Sequence, residues 1–295
     1  MLAELFAVMA PVLAGAGLGF SWIRLGHPYP VEFVTRLVFN IGTPALVLAS
    51  LSGAEIDAES FGRTMLATAL VIIAMAAATF LVARLLRRDW RVLLAPMMYP
   101  NTGNMGLPVV LYAFGSAGFA YGITIMVTVA LLQFTLGTVF TSRGNPFKAL
   151  AKTPIVYAIA IAMGLLLTDT TLPLWLANSV DLMSGFTVPL MLITLGVSLA
   201  SIQVRSLRSG VGFSLARIPL AATIAWLIGG WMGLSPLAQG VLVLQMSMPV
   251  AVFNYLFAQR AGREPAYVAS LVFCSTLLAL IYLPILLALL MQVTQ

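Results

Sequence analysis

The sequence predicts an all-α membrane protein: ten transmembrane helices in two inverted five-helix repeats, with helices four and nine broken near their middles. Three observations lead there. The 295 residues are 61% hydrophobic and only 8% charged, against about 25% charged for a soluble domain. Apolar runs approaching the roughly 17–25 residues needed to cross a bilayer as a helix recur ten times, with cores near 4–22, 32–51, 63–84, 92–114, 117–140, 154–168, 174–199, 211–232, 236–258 and 266–291. Prolines then recur at matching places in the two halves. Pro44 pairs with Pro189 at a separation of 145 residues, and Pro108 with Pro249 at 141. Five spans per half force the halves into opposite orientations, the arrangement of an inverted repeat.

In chain order, the first span carries Gly15, Gly17 and Gly19, which read as a close helix contact. It starts with Glu4 rather than a basic segment, so it reads as a span and not as a signal peptide. The second holds Glu32 and Arg36 four apart, expected to pair with each other, then Asn40 and Pro44. The fourth is interrupted by Pro100-Asn101-Thr102-Gly103-Asn104-Met105-Gly106-Leu107-Pro108, and Gln133 lies in the fifth. The segment 141–153, with Gly144-Asn145-Pro146 and three positive charges, is the expected linker between repeats 1–140 and 154–295. In the second repeat, the seventh span carries Asp181 toward its outer end, followed by Pro189. The eighth carries Arg217 and Pro219 and ends on Gly229, Gly230 and Gly233. The ninth is interrupted by Gln245-Met246-Ser247-Met248-Pro249-Val250, with Asn254 beyond.

The net charge of +6 is distributed as topology rather than as a nucleic-acid patch. With the N-terminus outside, the cytoplasmic loops hold Arg24; Arg84, Arg87, Arg88 and Arg91; Arg143, Lys148 and Lys152; Arg205 and Arg208; Arg260 and Arg263. The outer loops hold Glu55, Asp57, Glu59 and Asp169, with Arg63 at the start of the third span. That positive-inside bias predicts both termini outside the cytoplasm.

Catalytic signatures are absent. There is no HExxH, no Gly-x-Ser-x-Gly, no Walker lysine and no intramembrane aspartate pair. His27 and Cys274 are each the only residue of their type, which leaves few players for acid–base or nucleophilic chemistry and no thiolate metal cluster. The expectation is a protein that is not an enzyme, with no cofactor and no metal. What remains is uncharged polarity at membrane depth. Proline removes an N–H and clashes with the preceding turn. Freed backbone survives in a bilayer only where protein buries it or a cavity receives it. The candidate substrate-binding residues are therefore Asn101, Thr102, Gly103, Asn104, Gly106 and Pro108, with Gln245, Ser247, Met248, Pro249, Val250 and Asn254, and Asn40 beside Pro44. Half-helices beginning at such breaks present unpaired N–H groups and the positive end of a dipole, which suits a carboxylate. Arg217 is the candidate counter-ion, with a helix-pairing role as its alternative.

The runs PNTGNMGLPVVLYAFG, NPFKALAKTPIVYAIAIAMGLLL, VPLMLITLGVSLA and MPVAVFNYLFAQRAGREPAYVASLVFCSTLLALIYLP resemble the auxin efflux carrier family, over nearly the whole chain. The resemblance implies that helices four and nine cross at their breaks. It implies a scaffold of helices one, two, six and seven, a mobile part of helices three to five and eight to ten, elevator-type alternating access, and a homodimer. Carried onto this chain, the substrate-facing crossover comprises Asn101, Thr102, Gly103, Asn104, Gly106 and Pro108 with Met248, Pro249 and Val250. The long central hydrophilic loop of the plant exporters is missing. Asn104-Met105-Gly106 stands where those have a Ser-rich stretch, which points to bacterial organic-acid transport rather than auxin. The architecture is also similar, more distantly, to sodium–bile acid symporters, without their acid-bearing sodium-site pattern in the ninth helix.

The sequence thus reads as a multi-pass carrier of the cell inner membrane for a small organic anion. Its partners are that carboxylate, the lipid bilayer and a second copy, with no nucleic acid. The alternatives are a sodium-coupled symporter of the bile-acid type and a non-transporting sensor on the same fold. Reporter fusions within 141–153 should report the cytoplasm; an outside location would overturn the topology.

Overall fold

The structure, a computed structural model, describes residues 2–52, 57–140, 153–168, 170–202 and 206–294. The expected linker therefore lies almost wholly outside the described residues. Among the described residues the regular structure is helical, with one isolated antiparallel bridge between Pro100 and Val250. In order come α1 (Leu2–Arg24), α2 (Val31–Leu37), a π turn (Val38–Gly42), α3 (Thr43–Ser52), α4 (Ala58–Leu86) and α5 (Trp90–Met98). A second π turn (Thr102–Gly106) leads into α6 (Leu107–Phe140). There follow α7 (Pro154–Leu167), α8 (Leu174–Gly185), α9 (Thr187–Ser201), α10 (Leu207–Trp231), α11 (Pro236–Met246), α12 (Phe253–Ala261) and α13 (Pro265–Thr294).

Among the described residues, seven stretches are long and apolar enough to cross a membrane: Ala3–Arg24, Val31–Ser50, Ala58–Leu86, Thr102–Gln133, Leu174–Ser201, Leu207–Trp231 and Pro265–Val293. The difference from ten has a physical source. The fourth expected span is interrupted after Met98, and its second half runs on into the fifth through a corner at Gly115. That residue has φ +62°, a conformation glycine adopts without cost. The ninth is split into α11 and α12, and the sixth is the short α7. Broken helices fail a length criterion even where their apolar total would suffice.

Both π turns stand just ahead of a proline. Pro44 and Pro108 have no N–H, and each ring would meet the carbonyl four residues back. Widening the turn to a five-residue step relieves this: Thr43 N–H donates to Val38 O, and Leu107 N–H to Thr102 O. The fourth span consequently does not break at Pro108, as the sequence suggested. Pro108 is the second residue of α6, and the break lies upstream at Tyr99–Asn101.

Helix starts obey local chemistry. Asp57 caps α4 by accepting from Ser60 N and Ser60 Oγ, both at 2.8 Å. The amide bond first, then the hydroxyl, holds its carboxyl below the ordinary carboxylate range. Arg36 and Glu32 pair at 2.6 Å, as their spacing required. Asp181 lies exposed on α8.

Two bodies of packing position the site. α1 lies along α9 so closely that a β-carbon on Gly19 would overlap the Ile193 carbonyl, and one on Gly196 the Ala16 carbonyl. Gly17 has open space instead, so only part of the glycine stripe is a contact. The larger core joins α4, α5, α6, α10, α11 and α13 through Met75, Met97, Ile125, Phe213, Leu244 and Leu271. A second cluster, with Val38, Val47, Ile123, Ile155 and Met191, forms where α3, α7 and α9 meet α6. Large apolar side chains such as Phe6, Leu18, Ile73, Leu85, Leu227 and Ile281 stay exposed, as a lipid-facing surface requires.

Candidate functional site

The site is built on backbone that two helices leave unpaired. Asn101 N donates to Pro249 O at 2.7 Å, and Ala251 N donates to Tyr99 O at 3.2 Å. These bonds flank the Pro100–Val250 bridge, so the two breaks satisfy one another. Val250 N donates to Ser275 Oγ at 3.0 Å, which ties the crossing to α13.

Pro100 leaves a further debt, because its missing N–H would have served Pro96 O. Arg217 supplies the donor: its Nε reaches Pro96 O at 2.9 Å, and its NH1 reaches Met248 O at 2.8 Å. The Pro96 carbonyl lies in the last turn of α5 and the Met248 carbonyl just beyond the end of α11, where partial negative charge accumulates. Arg217 is fully buried, and its NH2 has no acceptor among the described residues. It lines neither of the two cavities beside the crossing; it clamps the crossing from α10.

The other expected residues divide by helical phase. Gln245 is fully buried, donates from Nε2 to Gly122 O at 3.3 Å, and leaves Oε1 beside Gly106. A β-carbon on Gly106 would overlap that oxygen, so a larger residue there would have to displace the Gln245 side chain. Ser247 is buried and donates back to Val243 O at 2.6 Å. Met248, Pro249 and Val250 are buried in the ladder, as is Thr102 in the π turn. Asn101 is 5% exposed, and its Nδ2 has no partner among the described residues. Gly103 is half-buried against Met126 and Met191. Asn40 is exposed in the first π turn and joins neither cavity. Gln133 is buried in α6, and its Nε2 has no partner among the described residues.

Two asparagines remain, each four residues beyond the bridge. Asn104 follows Pro100, and Asn254 follows Val250. Asn104 is half-buried in a space of only about 10 Å³, with Thr35, Val38, Phe39, Met191, Thr194 and Phe253. Phe39 and Phe253 meet edge to face there at 5.2 Å. Asn254 is 1% exposed; its Nδ2 donates to Tyr99 O at 2.9 Å, and its Oδ1 has no partner among the described residues. It lies in the wall of a cavity of about 210 Å³. Trp90, Leu94, Ala95, Phe257 and Ala258 give that cavity apolar sides, and Arg91 and Arg263 bring positive charge to it. Among the described residues no three His, Cys, Asp or Glu side chains converge as metal ligands would.

Residues 9–152 and 147–287 each match a family described as membrane transport protein. The chain belongs to this family, the auxin efflux carriers. It is 28% identical over 269 residues to an uncharacterised transporter of Methanothermobacter thermautotrophicus, covering 85% of this chain and 86% of that one. It is 27% identical over 199 residues to an uncharacterised transporter of Methanocaldococcus jannaschii, covering 62% and 63%. As an auxin efflux carrier family member, the chain is a multi-pass membrane transporter. Sequence reasoning found the polar residues of its crossover but missed the cavity. Trp90 and Phe257 gave no signal, and Arg91 and Arg263 were absorbed into the loop-charge pattern. Their position at the outer ends of the two half-helices that flank the crossing was the available clue.

The clamp generates a prediction. Arg217→Lys keeps the charge but loses the planar fork, so stability should fall by about 1–3 kcal/mol, the worth of a charge-assisted hydrogen bond. Affinity for a bound anion should stay within about threefold. Thermal melting and ligand titration of the same sample check both. Loss of anion affinity with unchanged melting would make Arg217 a counter-ion instead.

Proposed function

We propose that this protein is a secondary carrier that moves a small organic anion, a carboxylate, across the cell inner membrane by elevator-type alternating access. In this reading each protomer has ten transmembrane helices in two inverted five-helix repeats, with interrupted pairs counted as one span and both termini outside the cytoplasm. Two protomers form a homodimer. Helices one, two, six and seven correspond to α1, α2–α3, α7 and α8–α9 and act as scaffold; the remainder moves.

The observation that carries the reading is the cavity against the crossing, with Tyr99 and Asn254 from the two breaks and Arg91 and Arg263 in its lining. The arginines raise the local concentration of an anion. The apolar walls receive its body, and the N–H of Asn254 Nδ2 that Tyr99 O does not use, at the positive end of α12, donates to its polar end. A volume of about 210 Å³ falls below the roughly 300–1,000 Å³ of drug-sized sites, which favours a small substrate. Asn104 occupies the corresponding place beside the smaller pocket of about 10 Å³, between scaffold residues and the mobile half-helix. Exchange of open and closed sides at the two asparagines is the alternating access proposed.

Reconstituted protein should drive saturable uptake of one or more labelled small carboxylates. Asn254→Ala and Asn104→Ala should each lower flux by about tenfold or more, the effect of about 1.4 kcal/mol, with melting little changed. Equal uptake of a neutral amide analogue, or wild-type flux in both variants, would contradict the proposal.

A further inference from the structure

A second feature lies outside the crossing and is not used by it. At the corner between α4 and α5, a surface groove of about 790 Å³ is lined by Phe80, Leu81, Ala83, Arg84, Arg87, Arg88, Trp90 and one acid, Asp89. It shares only Trp90 with the substrate cavity. Its chemistry is divided along the helix axis. Phe80 and Leu81 are 51% and 60% exposed and belong to the apolar length of α4, a stretch of 29 residues fit to span a membrane. One turn later come three arginines within five residues, where α4 ends. The corner itself is fixed. Arg87 caps α4 in the left-handed region at φ +51°, and Asp89 caps α5 by accepting from Arg91 N at 3.0 Å.

The arginines are not equivalent. Arg88 pairs with Glu264 at 3.3 Å and lies 4.5 Å from the Tyr267 ring centre. Arg84 and Arg87 are exposed, and among the described residues neither faces an acid within ion-pair distance. Two guanidinium groups beside an exposed Phe and Leu at the end of a membrane span match an amphiphile that carries acyl chains below a phosphate. A free phosphate would use the arginines and leave the apolar wall without a purpose. Guanidinium binds phosphate oxygens through paired N–H donors, and basic residues at a membrane surface are worth about 1 kcal/mol each toward anionic lipid.

We infer that this groove binds the headgroup and upper acyl chains of an anionic phospholipid, held by Arg84 and Arg87 against Trp90. Trp90 makes the inference measurable, because a lipid seated there quenches its fluorescence when the acyl chains are brominated. Full-length protein in detergent micelles is titrated with brominated phosphatidylglycerol and, separately, brominated phosphatidylcholine. The expected result is a saturable quenching component with phosphatidylglycerol, absent with phosphatidylcholine and absent in Trp90→Phe. In Arg84→Gln/Arg87→Gln its midpoint should rise about 25-fold, or about fivefold for each arginine removed; Arg84→Lys/Arg87→Lys should restore most of it. If the double glutamine variant does not fold, the single variants test the same contact, with an expected rise of about fivefold each. Inorganic phosphate should not displace the lipid. An unchanged midpoint in the glutamine variants, equal quenching by phosphatidylcholine, or displacement by inorganic phosphate would overturn the inference.

Discussion

Everything in this structure depends on the treatment of backbone that hydrocarbon cannot hydrate. An unpaired N–H or C=O in a bilayer costs several kcal/mol, so an interrupted helix is tolerated only with an internal answer. Here two interruptions answer each other through the Asn101–Pro249 and Tyr99–Ala251 bonds. The remainder, a carbonyl orphaned by Pro100, is met by a buried arginine. The crossing is thereby satisfied in its backbone, and Asn254, four residues beyond it, adds a side-chain bond to Tyr99 O. Gln245, sandwiched between Gly106 and Gly122, adds a third fastening between α11 and α6.

The pairing also sets which residues correspond. Prolines in sequence suggested a repeat offset of 141, from Pro108 to Pro249. The bridge pairs Pro100 with Val250, and its two flanking bonds mirror one another. Asn104 and Asn254 each stand four residues beyond it, one beside a space of about 10 Å³ and one in the wall of a cavity of about 210 Å³. A carrier needs two such sides in unequal states, and the proposed mechanism uses that inequality.

Much of the architecture was legible because composition and period are strong signals in a membrane chain. The all-helical membrane class, the break near Pro249 and the Glu32–Arg36 pair were readable from residue type and spacing. The site was only half legible. Residue type marks Gln245, Ser247, Asn101 and Asn254 as polar groups at a break, but helical phase decides which of them face a cavity. Phase cannot be carried across a point where one helix stops and another starts. Pro108 misled for a related reason: a π turn absorbs its missing N–H, so the interruption moved to Pro100. Arg217 could be read as buried, but its partners are carbonyls from two other helices, which no pattern along α10 encodes. Asn40 looked equivalent to the crossover amides and is exposed.

The central claim is that the cavity against the crossing is where substrate sits when the carrier is open toward its arginine-lined end. Accessibility of a single thiol tests it most directly. With the buried Cys274 replaced by serine, Ala258→Cys places a thiol in the cavity wall. In oriented vesicles, a membrane-impermeant thiol reagent should label it from the face that carries Arg91 and Arg263, and a transported carboxylate should slow that labelling. Labelling only from the opposite face, or labelling that a transported carboxylate leaves unaffected, would contradict the account.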